Sequence, residues 1–309
     1  MLNVIFMGAP DFAVPSLEKI AKSRHHVQCV LTHPDKKRGR GGKTVPTAVK
    51  RKAEELKLPV IENSDMKDPE LHRHLAAYQP DLFVVVAFRI LPQKMLEIPK
   101  IGAINLHASL LPKYRGAAPI HWAVLNGERE TGATVFMLDR SVDTGAIISQ
   151  RSIAIGPDET TGSVYERLMK MGSDLLLQTV NDIDSGDYHK IPQNDAEATP
   201  APKIFKEDAQ LDPQKTAREV HNCIRGYSPF PGAWSTWEGK TVKFYASTLG
   251  PEKEDSTPGR IYASEEGRLL LECGRDTVEI LEIQVQGKKR ISGQEFINGY
   301  QFEEAFLGD

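Results

Sequence analysis

The chain has 309 residues, 40% hydrophobic and 26% charged, and its 39 Lys and Arg against 42 Asp and Glu leave a formal net charge of −3. That length supports a large core and two domains, and the balance excludes a uniformly basic nucleic-acid binder. Cys29, Cys223 and Cys273 are too few and too far apart for a disulfide framework or a CxxC zinc site; no metal is expected and a reducing cytoplasm fits best.

Residues 2–7 lack a basic leader and are too short for a signal segment, and no apolar stretch approaches a membrane span. Residues 4–7 instead read as a buried strand, followed by Gly8-Ala-Pro-Asp-Phe and a helical pattern with Leu17 and Ile20 on one side. Gly8 lacks the partners of a GxGxxG fingerprint, so the opening is not that of a dinucleotide site. A strand over 27–32, a helix over 48–56, a core strand over 82–88 and another over 103–106 come next. A helix over 119–126, strands over 134–138 and 147–155 and an amphipathic helix over 163–183 complete the pattern. Strands alternating with helices predict an α/β domain with a mostly parallel sheet covered on both faces.

From residue 185 to 204 the composition turns polar and proline-bearing, a linker signature. Beyond it the pattern changes to one helix over 216–225 and short strands over 233–237, 242–246, 260–262, 269–272 and 278–285. Such strands, separated by Gly, Pro and charged turns, predict a small antiparallel barrel. The expected organisation is therefore a catalytic domain over 1–189, a linker over 190–204 and a barrel domain over 205–309.

The chemistry concentrates at residues 105–119, Asn-Leu-His-Ala-Ser-Leu-Leu-Pro-Lys-Tyr-Arg-Gly-Ala-Ala-Pro. Asn105 and His107 end an apolar stretch, and residues two apart on a strand point to one face. Taken alone, Asn and His at a strand end are more often structural than catalytic. Pro112, Gly116 and Pro119 change the balance, because they make a loop at a strand end, where open α/β sheets bind ligands. If the fold brings Asp143 to His107, the three can polarise a carbonyl, stabilise an oxyanion and manage a proton. No serine or cysteine nucleophile is required, which points to direct attack by a substrate amine.

Residues 35–44, Asp-Lys-Lys-Arg-Gly-Arg-Gly-Gly-Lys-Thr, interleave cations with glycines. Two readings stand: a loop that follows a phosphate backbone, or a solvated crossover.

From Met7-Gly-Ala-Pro-Asp-Phe-Ala-Val-Pro through Asn105-Leu-His-Ala-Ser-Leu-Leu-Pro, Arg115-Gly-Ala-Ala-Pro and residues 139–145 to Arg225-Gly-Tyr-Ser-Pro-Phe-Pro-Gly-Ala, the chain resembles the methionyl-tRNA formyltransferase family. The resemblance runs essentially end to end. It implies a Rossmann-like formyltransferase domain, an OB-like C-terminal barrel that binds tRNA, 10-formyltetrahydrofolate as co-substrate and initiator Met-tRNA as partner, in a monomer. Asn105, His107 and Asp143 match the family's catalytic trio. Ser109, Leu110, Leu111 and Pro112 match a folate-contacting segment, as do Phe88, Arg89, Ile90, Leu91 and Pro92, although relatives usually carry Tyr-Gly in place of Phe88-Arg89. Arg40 matches a loop arginine associated with acceptor recognition, and Arg38 and Lys43 are its expected companions. The Asn-x-His and Ser-Leu-Leu-Pro core is shared with formyltransferases acting on small acceptors. The basic loop and the barrel favour an RNA acceptor, since a small substrate needs neither.

Overall fold

The computed structural model describes residues 1–38 and 43–308. They form two compact units that are not contiguous in sequence. One holds Met1–Ala117, Thr131–Ile153 and Tyr165–Ala201; the other holds Ala118–Glu130, Ala154–Val164 and the chain from Pro202 onward.

The elements up to residue 201 are, in chain order, β1 (Asn3–Gly8), α1 (Val14–Ala21), β2 (His26–Thr32), β3 (Lys36–Arg38), β4 (Lys43–Val45), α2 (Ala48–Glu55), β5 (Val60–Glu62), α3 (Pro69–Ala77), β6 (Leu82–Val86), α4 (Gln93–Leu96), β7 (Gly102–His107), β8 (Arg115–Gly116), α5 (Pro119–Leu125), β9 (Glu130–Met137), β10 (Ile147–Ala154), α6 (Thr161–Ser185) and β11 (Pro200–Ala201). The main sheet of the first unit runs β10, β9, β7, β6, β1, β2, β5. The ladders of β5 on β2, β2 on β1, β1 on β6 and β6 on β7 are parallel, and β9 joins β7 antiparallel. Every residue of β6 is buried, as befits a central strand covered on both faces. Ile5, Met7, Leu31, Phe83 and Val85 share one core cluster.

The sequence predicts a strand over 82–88, but β6 stops at Val86 because Ala87 adopts φ +48°. That left-handed residue ends the extended run and turns residues 88–92 off the sheet. Among the elements that the hydrophobic pattern does not announce are β5, of three residues, and α3, of nine. The start of α3 was nevertheless legible, with Asp68 capping Glu70 N–H and Pro69 in its first turn.

The second unit continues with α7 (Ala217–Tyr227), β12 (Ala233–Trp237), β13 (Lys240–Leu249), β14 (Arg260–Ala263), β15 (Leu269–Glu272), β16 (Thr277–Val285), β17 (Ile291–Ser292), α8 (Gly293–Tyr300) and β18 (Glu304–Phe306). Its antiparallel sheet runs β12, β13, β16, β15, β14, β18, with β17 on β16. The sheet curls into a half-barrel around Phe244, Ile224, Ile280 and Phe296. A hydrogen bond of 3.0 Å from Gly308 N–H to the Thr236 carbonyl links the two ends of the strand path. Reciprocal capping boxes, Thr216 with Glu219 and Ser292 with Glu295, start α7 and α8. Within this unit α5 packs on α7 so closely that a Cβ on Gly226 would lie 2.5 Å from Leu125.

Candidate active site

The site lies in the first unit, where β7 gives way to the loop that follows it. Parallel pairing of Val86 with Leu106 sets the end of β6 beside the end of β7, so residues 88–92 and 107–112 leave the sheet as neighbours. His107 is buried, its ring edge-on to Phe136 at 6.5 Å. Its Nε2 lies 2.8 Å from the Tyr114 carbonyl. A carbonyl only accepts, so Nε2 carries the hydrogen and Nδ1 is left for chemistry. Nδ1 faces Asp143 Oδ2 at 3.7 Å, within ion-pair range but beyond a hydrogen bond.

Asp143 Oδ2 accepts the Gly116 N–H at 2.9 Å, so the carboxylate is tied to the loop carrying Tyr114 as well as facing the ring. Asn105, on β7 two residues before His107, is half-buried, and its amide makes no hydrogen bond to another described residue. The sequence could place Asn105 beside His107 by strand periodicity. The arrival of Asp143 required the tertiary fold.

The loop itself is braced by Thr134. Its hydroxyl donates to the Ser109 carbonyl at 2.7 Å and accepts from Leu111 N–H at 3.1 Å and Gln150 Nε2 at 2.9 Å. Ser109 is fully buried, and its own hydroxyl closes a turn onto the Lys113 carbonyl at 2.7 Å. Leu111 is buried against Phe136 and Ile147, and Leu110 abuts Gly132. Ser109 and Leu111, expected to touch folate, therefore direct their side chains into the scaffold. Pro112 is half-buried.

Of residues 88–92, Ile90 is 72% exposed, Arg89 is exposed, Leu91 is buried in the core cluster, Pro92 caps α4 and Phe88 stacks on His33 with ring centroids 4.8 Å apart. Immediately after this segment a cavity of about 500 Å³ opens between α4 and the approach to Asp143, lined by Gln93, Leu96, Leu138, Asp139, Arg140 and Ser141. Two leucines give it a small apolar wall and four polar residues make up the rest, so its lining is more polar than that of most small-molecule sites. Arg140 spans it by donating to Gln93 Oε1 at 3.1 Å.

Arg40 lies outside the described residues, as do the side chains of Arg38 and Lys43; the backbones of Arg38 and Lys43 pair across the antiparallel β3 and β4. Burial pushes the thiols of Cys29, Cys223 and Cys273 up to about 12, so none is a nucleophile near neutral pH. Among the described residues no group of three His, Cys, Asp or Glu is placed to hold a metal ion, and no helix is long and apolar enough to cross a membrane.

A mostly parallel sheet thus carries Asn105 and His107 on one strand, with Asp143 facing the His107 ring. Residues 2–180 match the formyl transferase family, and residues 203–301 match the formyl transferase C-terminal domain. The chain is 43% identical to the methionyl-tRNA formyltransferase of Geobacter metallireducens over 98% of its own length and 97% of that relative. It is 40% identical to the enzyme of the same name from Alkaliphilus oremlandii over the whole of both chains. The chain belongs to the methionyl-tRNA formyltransferase family. Among solved structures the same fold occurs in WlaRD, a sugar 3N-formyl transferase (TM-score 0.67, 20% identity, 94% of this chain and 99% of that one). It also occurs in an N-formyltransferase from Helicobacter canadensis (TM-score 0.67, 23% identity, 91% and 99%).

Proposed function

We infer that this protein transfers the formyl group of 10-formyltetrahydrofolate to the α-amine of methionine on initiator Met-tRNA, as a cytoplasmic monomer supporting translation initiation. The observation that carries the reading is identity of about 40% along the whole chain, barrel included, with enzymes of that name. The strand-end trio supplies chemistry that suits it. In this reading the donor enters the cleft between α4 and residues 138–141, against Leu96 and Leu138 and with Gln93, Asp139 and Ser141 in reach of its polar groups.

The amine nitrogen, with a reference pKa of about 7.7–8.0, is appreciably neutral near pH 7 and attacks the formyl carbon. The new N–C bond forms, the bond from the formyl carbon to the folate nitrogen breaks, the amine loses one proton and the folate nitrogen gains one. Negative charge grows meanwhile on the formyl oxygen. The Asn105 amide, which has no hydrogen-bond partner among the described residues, donates to it, and His107 donates from Nδ1 when that atom is protonated, since Nε2 is committed to Tyr114. Asp143 supplies a compensating charge beside the ring and helps to carry the amine's proton. In this reading Arg38, Arg40 and Lys43 approach the acceptor arm of the tRNA, and the C-terminal barrel adds RNA surface.

Folate-dependent formylation of Met-tRNA by the purified protein tests this directly. Transfer to aminoacylated tRNA and not to free methionine or an amino sugar is expected. Turnover with an amino sugar alone would move the chain to the small-acceptor enzymes, and tRNA binding without formylation would indicate a noncatalytic RNA binder.

A further inference from the structure

Gln193 sits in the polar, proline-bearing stretch that the sequence presents as a connector. From Ile191 to Glu197 every other residue is exposed; Gln193 alone turns inward. Its Nε2 donates to two backbone carbonyls, those of Asp143 and Gly145, each at 2.8 Å. Its Oε1 accepts from Arg115 Nε at 3.1 Å and from a terminal nitrogen of the same guanidinium at 2.7 Å. The amide thus uses both donors and both acceptor directions, and carbonyls on one side with a guanidinium on the other permit only one orientation of it.

The carbonyls it binds bracket a demanding turn. Asp143 holds φ +56°, a region uncommon for non-glycine residues that persists where the surroundings hold it. Gly145 is equally constrained, since a Cβ there would fall 1.7 Å from the Met137 carbonyl oxygen. On the other side Arg115 is itself anchored, with its backbone N–H on the Thr199 carbonyl at 2.9 Å and its guanidinium on Asp195 at 2.7 Å. Its neighbour Gly116 gives the N–H that holds the Asp143 carboxylate.

We propose that Gln193 is a positioning residue for the reaction: its amide locks the Asp143 turn to the loop after His107 and so sets where the carboxylate stands against the imidazole. This rests on the catalytic role of Asp143 given above. A residue that acts through geometry affects turnover more than binding, and small misplacements of reacting groups cost up to about a hundredfold in rate.

The test uses the full-length protein with 10-formyltetrahydrofolate and Met-tRNA, measuring kcat, both KM values and the melting temperature. Gln193→Glu keeps the acceptor for Arg115 and removes both donors; Gln193→Met removes the hydrogen bonds without adding charge. Both are expected to lower kcat about tenfold to a hundredfold with each KM within about twofold of wild type. Either substitution added to Asp143→Asn should cost little more than Asp143→Asn alone, because the two residues act as one unit. Wild-type turnover in Asp143→Asn would overturn the underlying role of Asp143. Turnover lost in Asp143→Asn but kept in both Gln193 variants would overturn the positioning role alone, as would losses that simply multiply in the double variants.

Discussion

Asn105 and His107 differ in what holds them, and the difference predicts how their variants behave. The Asn105 side chain makes no hydrogen bond to another described residue that its loss would orphan, whereas His107 gives up one to Tyr114. Asn105→Ala is therefore expected to lower single-turnover formyl transfer by about 10²–10³ with the melting temperature unchanged, the usual cost of one oxyanion donor. His107→Ala should lose as much rate and some stability besides; near wild-type transfer in it would remove the imidazole from the mechanism. Thr134 makes the opposite prediction. Replacing it with the isosteric valine leaves the buried Leu111 N–H without a partner, so Thr134→Val should cost about 1–3 kcal/mol in urea unfolding.

At the scale of elements, the loop after β7 depends on the short parallel pair β8 and β11. Gly116 sits there at φ +127°, and a Cβ would lie 2.6 Å from the Ala201 carbonyl oxygen, which accepts the Ala117 N–H. Gly116→Ala should separate the pair, withdraw the N–H that holds Asp143 and depress kcat strongly while far-ultraviolet circular dichroism stays near wild type. The pair β3 and β4 frames the basic segment. If the segment engages the acceptor arm, Arg40→Lys impairs transfer to tRNA because a lysine cannot fork onto phosphate or base edges. Lys43→Ala should reduce the slope of log affinity against log salt by about 0.7–0.9 with folate binding intact. Wild-type tRNA affinity and salt dependence in both variants would make the segment a solvated crossover.

At the scale of the whole molecule, the second unit contains a buried histidine with consequences for acid stability. His221 accepts at Nδ1 from the Ser247 hydroxyl at 2.9 Å and donates from Nε2 to the Pro157 carbonyl at 3.0 Å, an arrangement that suits the neutral ring. Burial holds its pKa below the ordinary 6.5, with repulsion from Arg225 in the same direction and the Pro157 carbonyl and Asp158 opposing. The unfolded chain therefore takes up the proton first. The contribution of His221 to stability is complete above about pH 6.5 and is lost as the pH falls through the lower, folded value. Melting temperatures from pH 8 to 5 should fall more steeply for wild type than for His221→Gln; parallel curves would refute the assignment. The same unit also claims residues 118–130 and 154–164, which precede its main segment in the chain. A fragment ending at residue 204 would uncover the face of α5 that meets α7, so it should be less soluble than the intact protein while retaining the segments expected to bind folate. Sedimentation together with folate titration of that fragment checks both points.

Local pattern determined much of this protein. Continuous apolar runs marked the central strands, period-two spacing put Asn105 and His107 on one face, and the change from alternating helices and strands to short strands separated the α/β sheet from the barrel. Those signals reside in neighbouring residues, so a linear reading can recover them. Tertiary structure alone decided the rest. Asp143 meets His107 across 36 positions of chain through a left-handed turn that no local pattern announces. Gln193 emerges from a stretch whose composition says only that it is polar, and α5 is drawn to α7 by packing between segments about a hundred residues apart. Hydrogen-bond partners and packed faces are properties of pairs, and a pair distant in sequence exists only once the chain has closed.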